Sequence, residues 1–210
     1  MKKKFLLFDF DGTIANTLPA IITSLKKVAK EFDYDISTRD ILKLRKMTPL
    51  EIVTHLKFPP WKIPKLISRI REELAKNVDK IKIINGMEQA ILDLKFKGYR
   101  MGILTSNLKE TVEKFLIKNK LLVFDQIVSE PGIFRKSKSL KKILHDRHLN
   151  TTDVIYLGDE VRDIDFCRQS GIKIIAVAWG FNKKEILVKN KPDFLAEKPQ
   201  DIKEILKNLK

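Results

Sequence analysis

Five short apolar runs, none alternating apolar with polar residues, constrain this chain more than any other feature. They are KFLLF ending at Phe8, YRMGIL ending at Leu104, FDQIV around Gln126, DVIYL ending at Leu157 and KIIAVA ending at Ala178. A strand exposed on one face alternates, whereas a strand covered on both faces does not. Between these runs lie stretches with helical spacing. GMEQAILDLKFKG sets Met87, Ile91 and Leu94 on one face and reaches Gly98, a residue suited to end a helix. LKETVEKFLIKN and SLKKILHDRH read the same way. Strands alternating with helices require right-handed crossovers. The sequence therefore predicts an α/β chain, a doubly wound parallel sheet with helices on both faces.

Residues 16–81 break that rhythm. LPAIITSLKKVAKEF, TRDILKLRKM, TPLEIVTHL and WKIPKLISRIREELAKNV are amphipathic helical patterns punctuated by proline and threonine, with no convincing strand among them. The sheet rhythm resumes at IKIINGMEQAI. The expectation is a core of residues 1–15 and 82–210, with residues 16–81 forming an all-helical cap domain inserted after the first strand.

Composition excludes several classes. With 210 residues, 43% of them apolar and 33% charged, the chain can bury a full core and an accessory unit. No apolar stretch approaches the roughly 20 residues that span a bilayer, so no membrane partner is expected. The start, MKKKFLLFDFDG, has an apolar part too short for a secretory signal and runs directly into aspartates. The single cysteine, Cys167, leaves no intramolecular disulfide and suits a reduced, cytoplasmic setting. A net charge of +15 attracts polyanions. The lysines are spread through every segment, however, without zinc-finger spacing or an aromatic RNA-binding signature, so nucleic acid is not an expected partner. The scattered His55, His145 and His148 read as surface residues. With no heptad seam, the sequence is silent on oligomeric state.

In a doubly wound sheet, ligands bind beyond the carboxyl ends of the strands. The first run is followed by Asp9, Asp11 and Gly12, and the second by Thr105, Ser106 and Asn107. Lys136 and Lys138 come after the third, and GDEVRD, with Asp159 and Asp163, after the fourth. Singly, each has an ordinary reading: a solvated strand end, a helix cap, or an acidic first turn of a helix. Jointly they bring carboxylates, hydroxyl and amide donors and a lysine to one edge. Carboxylates sharing a site need a cation, and an all-oxygen donor set suits Mg²⁺. A lysine beside a helix start then completes a pocket for an anion such as phosphate.

DFDGT, ILTSN, a lysine near 136 and GDEVRD, in that order, resemble the four motifs of the haloacid dehalogenase superfamily. The resemblance covers the whole chain. The helical insertion is similar to the family's cap, and SGIKIIAVAWGF and KPDFLAEKPQDI are similar to its closing strands and helix. It implies that Asp9 is the nucleophile, forming an aspartyl-phosphate, and that Asp11 serves as general acid and then general base. It also implies that Asp9, the backbone carbonyl of Asp11, and Asp159 hold Mg²⁺, with Asp163 beside them or as a direct ligand. Gly12, Thr105, Ser106, Asn107 and Lys136 would hold the phosphoryl group. Arg135 stands where the family usually has a glycine, and RKSKS lacks the usual proline, so Lys138 is an alternative to Lys136. Asp11 points to phosphoryl chemistry rather than halide release. The implied function is a Mg-dependent, phosphoglycolate phosphatase-like monoester hydrolase acting on a small phosphorylated metabolite. A phosphomutase, and a non-catalytic nucleic-acid or protein-binding module on the same fold, are the alternatives. Arg45 and Lys46 are candidates for a second anionic group on the substrate, or else part of a solvated helix face.

Overall fold

The computed structural model describes residues 3–56, 59–130 and 136–209. The chain begins with strand β1 (Phe5–Phe8) and the two-residue β2 (Ala15–Asn16). Helices α1 (Leu18–Lys30), α2 (Thr38–Leu44), α3 (Pro49–Leu56) and α4 (Ile63–Lys76) follow, then β3 (Lys82–Ile83). Next come α5 (Met87–Phe96), β4 (Met101–Thr105), α6 (Lys109–Lys118), β5 (Gln126–Ser129) and α7 (Lys136–Asp146). The chain closes through β6 (Val154–Gly158), α8 (Val161–Ser170), β7 (Lys173–Val177), α9 (Lys184–Lys189), β8 (Phe194–Ala196) and α10 (Asp201–Asn208).

Six of the strands form one parallel sheet in the order β5-β4-β1-β6-β7-β8. The chain builds outward from β1 through β4 to β5, then returns to the other side of β1 with β6. That reversal opens a crevice at the carboxyl ends of the central strands. Why the apolar runs do not alternate is now visible. Leu6 and Phe8 of β1 pack with Met101, Ile103, Ile155 and Leu157 against α5, α6 and α10. Phe5 and Leu7 go to the opposite face, with Val154, Tyr156 and Ile174, against α7, α8 and α9. Both faces are therefore core. Each fully buried Leu, Ile or Phe contributes roughly 1.5–3 kcal/mol, and this interior offsets the cost of the charged groups at its edge. Cys167 lies within the second of these clusters.

The helices α1–α4 stand together over that edge. Their apolar faces meet in two clusters, one around Ala29, Ile36, Ile41 and Leu44 and the other around Val28 and Leu66. Glu73 of α4 accepts from Lys27 of α1 at 2.7 Å and from Lys76 at 2.9 Å. At the root of the helical segment β2 pairs antiparallel with β3, Ala15 opposite Ile83 and Asn16 opposite Lys82. This strand at Asn16 is not legible in the sequence, because two residues are too few to carry a period. Asn182 ties the helices to the core. Its amide donates to the carbonyls of Arg45 (3.1 Å) and Met47 (3.3 Å), and its side-chain oxygen accepts from the Val161 amide at 2.8 Å. Among the described residues no helix is long and apolar enough to cross a membrane.

Candidate active site

β1 delivers its last buried residue, Phe8, and then turns. Asp9 follows immediately and is almost fully buried. Its Oδ1 accepts from the Phe10 amide at 2.8 Å and its Oδ2 from Lys136 Nζ at 3.0 Å. Lys136 lies in α7. Besides Asp9, its ammonium donates to Asp163 Oδ1 at 2.9 Å and to the Tyr156 hydroxyl at 2.6 Å. Tyr156 in turn donates to the Leu104 carbonyl at 3.1 Å. Lys138 is exposed. The apolar GIF and Arg135, which precede the lysine, lie outside the described residues.

Asp159 leaves the end of β6 and is enclosed. Its Oδ1 accepts from Thr13 Oγ1 at 3.1 Å and its Oδ2 from the Phe181 amide at 2.6 Å. Glycines make that enclosure possible. A Cβ on Gly12, whose φ is +72°, would lie 2.1 Å from Asp159 Oδ2, and one on Gly180 would lie 2.2 Å from the Asp159 Cβ. Asp163 sits in the first turn of α8, where its Oδ2 accepts from the Glu160 amide at 3.2 Å. One oxygen from each of Asp9, Asp159 and Asp163 falls within 4.8 Å of the others.

Three buried carboxylates so close are costly. Burial, together with Glu160, Asp9 and Asp163, pushes Asp159 well above the usual carboxylate range. Burial raises Asp9 as well, against the opposing pull of Lys136. Lys136 keeps its charge: burial works against it, but Asp163 and Asp9 outweigh that and raise its pKa. The Lys136 ammonium faces three close carboxylates, and Glu160 and Arg162 beside them add one charge of each sign, so net negative charge is left among the described residues, with donors that are all hard oxygens. The residues present therefore fit a divalent cation of the magnesium type.

Asp11 has different surroundings. Its side chain is outside the trio, and both its oxygens face Asn107 Nδ2 at 3.1 Å. Burial first, and then the neighbouring Asp9, raise its pKa to about 6, with Asn107 opposing. Thr105 Oγ1 accepts from the Asn107 amide at 3.1 Å, and Asn107 Oδ1 from the Leu108 amide at 2.7 Å. The TSN turn thus shapes the entry to α6 while aiming the Asn107 amide group at Asp11. Ser106 and Asn107 both line the cavity above the site.

Other residues at the site were not singled out from the sequence. Glu160 and Arg162 sit between the two aspartates of GDEVRD, and Arg162 donates to Glu160 Oε1 at 2.5 Å. Burial opposes the charge of Arg162, but Glu160, Asp163 and Asp9 raise its pKa. The signal was there, an opposite-charge pair inside a motif, yet spacing alone did not say which way either side chain pointed. Tyr156 was hidden as one aromatic in an apolar run. Arg45 is committed elsewhere. Its Nε donates to the Phe181 carbonyl at 2.8 Å and its Nη2 to the Gly180 carbonyl at 3.0 Å. Lys46 is exposed.

Comparison with known proteins bears on the family and the fold. A family model described as haloacid dehalogenase-like hydrolase matches residues 6–177. The chain is 32% identical over 199 residues to a phosphoglycolate phosphatase of Synechococcus elongatus, covering 94% of each chain. It is 28% identical over 215 residues to the pyrophosphatase PpaX of Bacillus cereus, covering 100% of this chain and 99% of the relative. Among solved structures, a predicted phosphatase from Clostridium acetobutylicum superposes with a TM-score of 0.84 at 22% identity, over 99% of this chain and 100% of that one. At that identity the likeness is one of fold.

Proposed function

The chain belongs to the haloacid dehalogenase-like hydrolases, and from that premise we propose that it is a magnesium-dependent phosphate monoester hydrolase acting on a small phosphorylated metabolite. Residues 16–81 are its cap, and residues 1–15 and 82–210 its catalytic core. The observation that carries the reading is the buried Lys136 ammonium. It lies between Asp9 at 3.0 Å and Asp163 at 2.9 Å, with Asp159 completing the carboxylate trio.

Asp9 is the nucleophile. Its Oδ1 is held by the Phe10 amide and its Oδ2 by Lys136, so the carboxylate is fixed in one orientation. An oxygen of Asp9 attacks phosphorus, the ester P–O bond breaks, and the leaving alkoxide takes a proton. Asp11 supplies that proton. A pKa of about 6 lets it hold a proton often enough to give one up near neutral pH. In the second half, ionised Asp11 takes a proton from water. The water oxygen attacks phosphorus, freeing Asp9 and inorganic phosphate. Lys136 stabilises negative charge on Asp9 and on the phosphoryl oxygens, while Asp163 and Tyr156 hold its ammonium in place. Gly12, Thr105, Ser106 and Asn107 shape the phosphoryl pocket. Asp9, Asp159 and the backbone carbonyl of Asp11 would hold Mg²⁺, with Asp163 beside them. The cation would screen the phosphate's charge against the attacking carboxylate.

The test is hydrolysis of p-nitrophenyl phosphate with Mg²⁺ and with chelator, by the wild-type protein and by Asp9→Asn. Turnover that requires Mg²⁺ and disappears in a still-folded Asp9→Asn is the expected result. Turnover surviving Asp9→Asn would remove the proposed nucleophile, and turnover indifferent to chelator would remove the metal.

A further inference from the structure

The cavity above the carboxylates does not stop at the catalytic residues. It encloses about 340 Å³, within the roughly 300–1,000 Å³ typical of small-molecule sites, and runs from Asp11 and Asn107 up between α1 and α4. Its upper wall has an unusual composition. Apart from Thr17 and Arg71, every described lining residue from the stretch 17–74 is leucine or isoleucine. Leu18, Ile21 and Ile67 are half-buried there and belong to none of the apolar clusters formed by the described residues. These side chains face the cavity rather than the interior of the helical bundle. Aliphatic surface held open toward a catalytic crevice is unfavourable until something apolar covers it.

We infer that the substrate is a phosphate monoester whose leaving group is predominantly hydrocarbon, its chain lying against Leu18, Ile21 and Ile67 while the phosphoryl group reaches Asp9. The inference rests on the phosphatase reading and deepens it. A leaving group carrying a carboxylate or a second phosphate would have to bury charge among leucines and isoleucines, which is strongly unfavourable without a partner. Among the described residues that line the cavity, cationic side chains are confined to Arg71 and Arg162. Both interact with the carboxylate-rich floor, Arg71 with Asp11 and Arg162 with Glu160 and Asp163. Polar recognition is thus concentrated at the phosphoryl end. Arg45 and Lys46 do not line the cavity.

The deciding experiment is kcat/KM for ethyl, butyl, hexyl and octyl phosphate with wild-type protein and Mg²⁺, against 2-phosphoglycolate and p-nitrophenyl phosphate. Each methylene moved from water to an apolar wall is worth up to about fourfold. The series should climb by about threefold per methylene until the cavity is filled, and hexyl phosphate should surpass 2-phosphoglycolate. Ile67→Asn should cut the hexyl-to-ethyl ratio by about tenfold. A flat series, a preference for 2-phosphoglycolate, or an unchanged ratio in Ile67→Asn would overturn this inference while leaving the phosphatase standing. Absence of turnover on every ester, p-nitrophenyl phosphate included, would sink both. The wild-type series decides the matter even if Ile67→Asn does not fold.

Discussion

Replacing Lys136 with methionine keeps the unbranched apolar stem of the side chain and deletes one buried positive charge. The ammonium now accepts no competition from water, since its side chain is 8% exposed, and it sits 3.0 Å from Asp9 and 2.9 Å from Asp163. Removing it leaves two carboxylates, themselves 4% and 1% exposed, without the counter-charge in direct contact with them. Breaking a buried pair in this one-sided way costs about 3–5 kcal/mol. At roughly 2–4 °C per kcal/mol for a chain of this size, melting should fall by about 6–20 °C. The assay is thermal melting followed by circular dichroism in chelator, with Lys138→Met as the control. Lys138 is exposed, so its replacement should stay within about 0.5 kcal/mol of wild type. Repeating both melts with Mg²⁺ should shrink the Lys136→Met deficit, because a cation among Asp9, Asp159 and Asp163 supplies charge where the lysine did. Adding Asp163→Asn to Lys136→Met should restore part of the loss, with a coupling of about 0.5–3 kcal/mol. The reasoning is refuted if Lys136→Met melts with the wild type, or if Lys138→Met is the variant that suffers.

Three further perturbations probe separate links. Gly12→Ala forces a side chain onto a φ of +72° and a Cβ to within 2.1 Å of Asp159 Oδ2; it should cost about 1–3 kcal/mol in a denaturant titration and cut turnover with it, and an alanine variant as stable and active as wild type would contradict the close approach. Asp11→Asn should slow the first-turnover release of alcohol from an alkyl phosphate by about 10²–10⁴ but that of p-nitrophenolate from p-nitrophenyl phosphate much less, because p-nitrophenolate leaves without a proton; equal losses in that first-turnover rate on both esters would take the acid role away from Asp11. Hydrogen bonds from Lys27 and then Lys76 hold Glu73 down at about 2, below its ordinary 4.5. Stability from a depressed carboxylate is full above its unfolded pKa and is lost as pH falls through the folded one. The gap in urea midpoint between wild type and Glu73→Gln should therefore be widest above pH 4.5 and narrow steadily toward pH 2, and a gap independent of pH would count against the ion pairs.

Local periodicity made part of this protein legible from its residues alone. Runs without alternation mean strands covered on both faces. Leu6 and Phe8 pack on one face and Phe5 and Leu7 on the other because successive side chains in a strand point to opposite sides. DFDGT and GDEVRD were legible because both sit directly at strand ends, where topology forces neighbouring strands to bring their loops together. Tertiary structure alone decided which groups meet across long sequence separations. The sequence favours Lys136 but leaves Lys138 as an alternative. Only the docking of α7 turns one toward Asp9, 127 positions away, and leaves the other exposed. Arg45 looked available for a substrate anion until the fold set two backbone carbonyls of the 180–181 turn against it. The cavity is the clearest case. Leu18, Ile21 and Ile67 have the spacing of ordinary core positions, and an apolar stripe carries the same pattern whether it faces another helix or a ligand. What distinguishes the two is the presence of a partner across the gap, a property of three-dimensional packing that no one-dimensional pattern records.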